Sequence, residues 1–513
     1  MTPLAPEAMR TQTAAWAVAA QRPERPPAGG GRALLPNLLA AAIVAIGLFA
    51  YIEGQPLLVW AALPACLWLA LQAPEKLIGL LLLTTPIFPV IRVVEDRLGA
   101  QQVSTRGLYF TLDDPLILAL LLAAVARQLR HPGRRMEWFP LALLGLAAYY
   151  PLVIAANMER LEPAQSLLSL LYYLKWLQYA SLMLVIPAAL PPSAAPVLLR
   201  ILRRCLAAAL VASAAFALYE VGESLRTSSY RSAGLFPRAS SFFGTLDPLR
   251  FGASEDPVNF GVFMMIGGSL ALAAATHSRQ GHWSTRPLAA AAALAGVALS
   301  ASRTPLLAAL AAYTRLRRVS LGQALATLAT VLVLASSLQL FFPELWATTW
   351  VRFESIVFEE LAIDGSASGR MSIMLNAPVF EMDSHWFTGH GHSSYRFVAE
   401  QHLSRFTSGI SRSLYNFPLT IWYDAGFFGL LLWVLLYFQV RGRLRRIARS
   451  SRQSELRALA MGLSAALAGL AVASLFGEFP YNWRIMGFFY SCCGACLACD
   501  RAERWLASGG AAR

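Results

Sequence analysis

The sequence predicts an all-α fold, a polytopic helical membrane protein of about 14 spans with both ends on the inner side and one large outer loop. Three observations predict it. Hydrophobic residues make up 57% of the chain and charged residues 14%, where soluble domains carry about a quarter charged, and mean hydropathy is +0.51. Apolar runs long enough to cross a hydrocarbon core of ~30 Å recur along most of the 513 residues. The net charge of +14 gathers in segments that alternate spans bring to one side. A soluble globular domain, a solenoid, a coiled coil and a disulfide scaffold are thereby excluded. A pI near 9.8 needs no nucleic-acid partner once that charge has a membrane side to occupy.

Between charged, Pro or Gly breaks, spans fall near 34–52, 57–73, 77–93, 114–129, 138–155, 168–190, 198–218 and 257–276, then near 321–343, 417–440, 456–476 and 484–498. The stretch 287–313 decides the topology. As one helix it would be roughly 40 Å long and hold Arg303 near mid-bilayer, at about 2.5–3.5 kcal/mol. Split at Ser300 to Thr304, it becomes two short helices with the arginine at an outer turn. The split also sends the Arg-dense segments 127–135, 200–204, 315–318 and 441–457 to the inner side; unsplit, the seven arginines of 441–457 would face out. On this topology 27 of the 43 Lys and Arg lie inside and 15 outside, with Lys175 in a span.

Residues 1–33, with Pro23, Pro26, Pro27 and a Gly29 to Gly31 run, read as a disordered cytoplasmic tail without the apolar core of a signal peptide. Residues 34–218 form an N-terminal transmembrane bundle, 219–440 a core that includes the outer loop 344–415, and 441–513 the last spans and an inner tail. Loops of that length are usually functional. Trp350, Phe353, Val357 and Leu361 recur at helical spacing beside Arg352, Glu359 and Glu360, which fits a helix lying on the outer membrane surface and, equally, an ordinary packed loop helix.

Several residue types invite chemistry. Cys492, Cys493, Cys496 and Cys499 share a helical face, but zinc sites need knuckles with a turn between them, so apolar packing is the better account. Asp113 and Asp114, with Glu95 and Asp96 before them, could hold a divalent cation against a lipid diphosphate; Asp at a helix start also caps amides and suits the dipole. Arg303, recessed between two apolar half-helices, must pair or meet an anion, and its planar fork matches phosphate oxygens. In the long loop, Gly369-Arg370 is followed by Phe380, Asp383, Trp386 and Gly389-His390-Gly391-His392. Aromatic faces beside carboxylates suit sugar hydroxyls, and the same pattern occurs in ordered loops and exposed turns.

Phe242-Phe243-Gly244, Asp256-Pro257-Val258-Asn259-Phe260-Gly261, Ser300-Ala301-Ser302-Arg303, Arg370 and the Phe380 to His392 segment follow one another in an order that resembles the O-antigen ligase and O-antigen polymerase superfamily. The terminal motif of that superfamily is His, then Asn, Ser or Gln, nine residues, Gly, two residues, and Gly, Thr or Tyr. Tyr415-Asn416, nine residues, Gly426, Phe427, Phe428 and Gly429 keep every position except the first. The resemblance covers roughly residues 240–440.

The resemblance implies a bacterial inner-membrane glycosyltransferase without metal or other cofactor, its active site facing the periplasm. It would transfer a glycan, with inversion, from undecaprenyl diphosphate to an acceptor hydroxyl on a glycan or lipid. Arg303 and Arg370 would hold the diphosphate, and Asn259, Ser302 and Asn416 would line the donor and acceptor pocket. The histidine thought to assist the acceptor falls on Tyr415, a phenol whose ordinary pKa near 10 makes a poor base at neutral pH. His390, His392 or Asp383 would then supply the base, or Tyr415 would only orient the acceptor. An unperturbed imidazole titrates near 6.5 and serves if a neighbour holds its ring.

The expected activity is a glycan polymerase joining lipid-linked repeats in exopolysaccharide or O-antigen assembly. Membrane lipids surround it, and a chain-length regulator is a further candidate partner. A ligase handing finished glycan to a lipid or protein acceptor is the nearest rival. A flippase for lipid-linked sugars would need inverted repeats and a charged path, and Lys175 is the one Lys or Arg read inside a span. A metal-dependent transferase built on Asp113 and Asp114 is the remaining alternative.

Overall fold

The computed structural model describes residues 31–53, 55–87, 91–92, 109–130, 140–159, 163–227, 257–277, 285–300, 302–316, 336, 340, 385–392, 394 and 416–508. Apart from one two-residue strand pair, the described elements are helical. They are α1 (Gly31–Ile52), a 3-10 turn (Pro56–Ala62), α2 (Leu63–Gln72), α3 (Pro74–Ile87), α4 (Asp113–Arg130), α5 (Leu141–Ala156), α6 (Pro163–Ala180), α7 (Leu182–Ala189), α8 (Ala195–Thr227) and α9 (Pro257–His277). There follow α10 (Thr285–Leu299), α11 (Arg303–Arg315), α12 (Phe417–Ser450), α13 (Ser454–Ala473), a 3-10 turn (Phe479–Tyr481) and α14 (Trp483–Ala507).

Among the described residues five segments are long and apolar enough to cross a membrane: Leu34–Ile52, Pro192–Tyr219, Val258–His277, Phe417–Ser450 and Ser454–Ala473; Leu57–Gln72, Leu141–Ala156 and Leu288–Leu299 are shorter apolar helices. Several expected spans change shape. The run 77–93 stops as helix at Ile87, and Ile91–Arg92 pairs antiparallel with Tyr109–Phe110. Pro89, two residues past the helix end, cannot continue the ladder. The run 168–190 is two helices joined at Ser181. The run ending at 440 continues as helix to Ser450 and carries its arginines with it. Of 321–343 only two residues are described, and the tail 1–30 and the segment around 350–361 lie outside the described residues.

The chain reverses inside the 287–313 stretch, as the split requires. Gly268 packs against Ala293 and Gly296 against Met264, so α10 runs antiparallel to α9; Gly261 packs against Pro305 and Gly268 against Tyr313, so α11 runs parallel to it. The helices α10 and α11 therefore form a hairpin whose tip is Ser300 to Ser302.

Helix α14 is the most enclosed element, with every residue from Ile485 to Asp500 buried. Cys492, Cys493, Cys496 and Cys499 are among them, in contact with the central core, as expected of small apolar side chains. The two ends of the bundle differ in charge. One end holds Arg443 bound to Asp500 at 2.5 Å, Arg504 on the same carboxylate at 2.9 Å, and Arg203 on Glu455 at 3.0 Å. The hairpin tip and the starts of α9 and α12 lie at the other.

Candidate functional site

Ser302 is extended (φ −120°, ψ 135°), and Arg303 opens α11. A cation in the first turn of a helix opposes the dipole and costs roughly 0.3–1 kcal/mol, so helix stability gives no reason for Arg303 to stand there. Ser300 closes α10, its hydroxyl donating to the Val297 carbonyl at 2.7 Å. A Cβ at Gly261 would lie 2.6 Å from both Pro305 and the Ser300 hydroxyl, so the first turn of α9, with the half-buried Asn259, abuts this tip.

Asn416 has a structural occupation. Its side-chain oxygen accepts from the Leu419 N–H at 3.0 Å as the N-cap of α12, and its amide donates to the Leu475 carbonyl at 3.2 Å. The Phe417 N–H donates to the Ser474 carbonyl at 2.8 Å, which ties the start of α12 to the end of α13. Through the antiparallel contact of Gly469 with Ala308, that end of α13 lies on the Arg303 side of α11. Ten residues on from Asn416, Gly426 takes φ +64°, ψ −171° and breaks α12 into two pieces. The terminal motif thus marks a helix cap and a helix break.

Residues 385–392 of the long loop are packed into that break, where the sequence allowed an exposed turn. The His390 and Gly391 N–H groups donate to the Tyr423 and Asp424 carbonyls at 3.0 and 2.8 Å, and the Phe427 N–H donates to the Trp386 carbonyl at 2.8 Å. Tyr149 donates to the Phe387 carbonyl at 3.1 Å, Asn157 to that of Gly389 at 3.2 Å, and Ser169 to that of His392 at 2.5 Å. Helices α5, α6 and α12 thus satisfy a non-helical backbone that lipid could not.

The two histidines diverge. The half-buried His390 ring stacks on Tyr423 (4.4 Å between centroids, 15°) and on His385 (4.7 Å). Its Nδ1 lies 3.2 Å from the Tyr423 carbonyl; as a donor there it leaves Nε2 as the basic nitrogen, an assignment made from this hydrogen bond. His392 is 2% exposed, among the rings of Tyr150, Tyr173, Trp176 and Tyr481 at 4.6 to 6.4 Å. A base must reach its substrate, and this ring is walled in. Trp433 donates to the Tyr150 hydroxyl at 3.0 Å, which lies 2.9 Å from that of Tyr481. Burial pushes the Tyr481 phenol well up, and Tyr150 and Asp424 add to the rise, so it stays neutral.

Asp424 was missed in the sequence. It is fully buried, one of its carboxylate oxygens accepts from Ser394 at 3.3 Å, and it lies inside the nine-residue spacer of the terminal motif. A lone carboxylate in an apolar helix was the available signal. Asp383, Arg370 and Tyr415 lie outside the described residues.

Asp113 and Asp114 are each engaged by groups of the protein. Asp114 is ion-paired with Lys175, accepts from Gln178 at 2.9 Å and reaches back to the Thr111 N–H at 2.8 Å, the return half of a capping box; Asp113 accepts from Thr84 at 3.0 Å. Lys175, the cation read inside a span, is thereby neutralised, and it also faces the rings of Tyr179 and Trp483. Among the described residues no three His, Cys, Asp or Glu side chains converge.

No curated protein matches the chain. A family model described as O-antigen ligase matches residues 288–434, from α10 through the Ser302–Arg303 turn, the His390 loop and the broken helix α12. This match, over 147 of the 513 residues, supports the O-antigen ligase and polymerase superfamily for that part of the chain.

Proposed function

We propose that this protein is a glycan polymerase of the bacterial inner membrane, joining undecaprenyl-diphosphate-linked oligosaccharides at the periplasmic face in exopolysaccharide or O-antigen assembly. The observation that carries the reading is the hairpin of α10 and α11, which presents Arg303 at a tip beside the start of α9, at the end of the bundle where α12 begins. The bundle is oriented by its arginine-rich opposite end, which the positive-inside rule assigns to the cytoplasm.

In the reaction an acceptor hydroxyl attacks the anomeric carbon of the donor, the carbon–oxygen bond to the diphosphate breaks, and its electron pair leaves on the phosphate. Charge grows on the leaving oxygens as that bond breaks, so a fixed guanidinium there lowers the barrier. Arg303 fills this role together with Arg370. The hydroxyl proton goes to a base, and His390 suits the task better than His392: its ring is half-buried and held at Nδ1 by a carbonyl, whereas His392 is enclosed. Asp383 is the other candidate base, Tyr415 an orienting hydroxyl, and Asn259 and Ser302 border the pocket.

A ligase is the second reading, favoured by the description of the matching family model. Reconstitution with an undecaprenyl-diphosphate oligosaccharide separates the two. A ladder of lengthening lipid-linked products means polymerase, and one-step capture by a second acceptor means ligase. Movement across the bilayer without a new bond overturns both.

A further inference from the structure

Helix α12 runs 34 residues with its break at Gly426, and its last ten residues, Arg441 to Ser450, lie beyond the apolar run. The arginines of this extension have two different fates. Arg443 is buried and bound to Asp500. Arg445, Arg446 and Arg449 are exposed, one helical turn of guanidinium groups, and Arg445 also feels the like charges of Arg441 and Arg315. The carboxylates nearby in the fold are committed: Asp500 to Arg443 and Arg504, Glu455 to Arg203, and Glu503 to the Arg452 N–H at 2.7 Å. Among the described residues, no carboxylate is ion-paired with Arg445, Arg446 or Arg449. An open hollow of about 420 Å³ lies among these three, Gly442 and Ser450. A Cβ added at Gly442 would meet nothing within 4 Å.

A cation in the last turn of a helix complements its dipole, which accounts for Arg449, and the positive-inside rule accounts for the side on which Arg445 and Arg446 lie but not for their lining one hollow with Arg449. Both lie within two helical turns of the end of the apolar run 417–440. We propose that this hollow is a binding site for the headgroup of an anionic phospholipid, whose phosphate the three guanidinium groups clamp from the cytoplasmic side. The proposal rests on the membrane orientation given above but not on the glycan chemistry.

The test uses the full-length protein in nanodiscs with phosphatidylglycerol titrated into phosphatidylcholine, bound lipid being counted by native mass spectrometry. Wild type should retain phosphatidylglycerol selectively. Arg445→Gln/Arg446→Gln/Arg449→Gln should lose roughly 100-fold in that preference, at about a tenfold factor or less per arginine, and the triple Lys variant should keep most of it. Equal retention by the Gln variant overturns the site. So does displacement of the lipid by millimolar inorganic phosphate, which would make the ligand a soluble anion. If the Gln variant does not fold, wild type decides: selectivity unchanged between 50 and 500 mM salt overturns the proposal. Polymer synthesis by the reconstituted protein is a separate readout.

Discussion

Gly389 and Gly426 lie backbone against backbone, both at positive φ (+72° and +64°), with no side chain between the loop and the broken helix. A Cβ on Gly389 would stand 2.5 Å from the Gly426 nitrogen, and one on Gly426 would overlap the Phe387 carbonyl. Neither contact can relax by moving a flexible side chain, because backbone faces backbone. Gly426→Ala and Gly389→Ala are each expected to lower stability by about 1–3 kcal/mol, read as the melting temperature in detergent. Because the two sites touch, the double variant should cost measurably less than the two singles together. Strict additivity would mean that the loop and the helix break are independent.

The pairing of Lys175 with Asp114 makes a different prediction. Their side chains are 11% and 3% exposed, so Lys175→Met strands a buried carboxylate. A loss of about 3–5 kcal/mol is expected, towards the lower figure because Gln178 and the Thr111 N–H still donate to Asp114. Lys175→Met/Asp114→Asn should recover most of it, since Asn keeps an acceptor for Thr111. If the double variant melts no higher than the single, charge neutralisation is not the purpose of the pair.

The helical membrane class and the reversal at Ser300 to Arg303 were legible in the sequence, because hydrocarbon thickness and the cost of a buried arginine constrain them directly. The packing of 385–392 was not. Its backbone hydrogen bonds come from Tyr149, Asn157 and Ser169, more than two hundred residues away in the chain, and the pair Gly389 and Gly426 reads as two separate loop and helix glycines. Asn416 was legible as a motif position while its work as a cap was not, since an N-cap and a pocket residue are the same amide until the neighbouring N–H groups are seen. Asp113 and Asp114 could be read as caps or as cation ligands for a like reason: the partner that decides the matter, Lys175, lies on another helix.

The unequal settings of His390 and His392 separate their expected effects. His392→Ala opens a cavity between Tyr150, Tyr173, Trp176 and Tyr481 and should cost roughly 2–5 kcal/mol of stability, with His392→Phe recovering much of it and still making product. His390→Gln should leave the melting temperature near wild type and slow transfer about 100- to 10,000-fold, measured as product per folded protein. The reverse pattern, a stable and inactive His392→Phe beside an active His390→Gln, would move the base to His392.

Arg303 offers the sharpest separation of folding from activity. Its charge works against the dipole of α11, a cost of a few tenths of a kcal/mol that Arg303→Ala removes. With Arg303 holding the donor diphosphate as proposed, the same substitution removes a fixed cation from the leaving group, and turnover should fall roughly 100- to 1,000-fold. Arg303→Lys keeps the charge and loses the planar fork, so an intermediate loss of about tenfold is expected. The comparison is made with one preparation of lipid-linked oligosaccharide, turnover and melting temperature being measured on the same detergent samples. A variant that melts several degrees lower and loses activity only in proportion would show Arg303 to be a structural ion-pair partner, and the diphosphate would have to be held elsewhere.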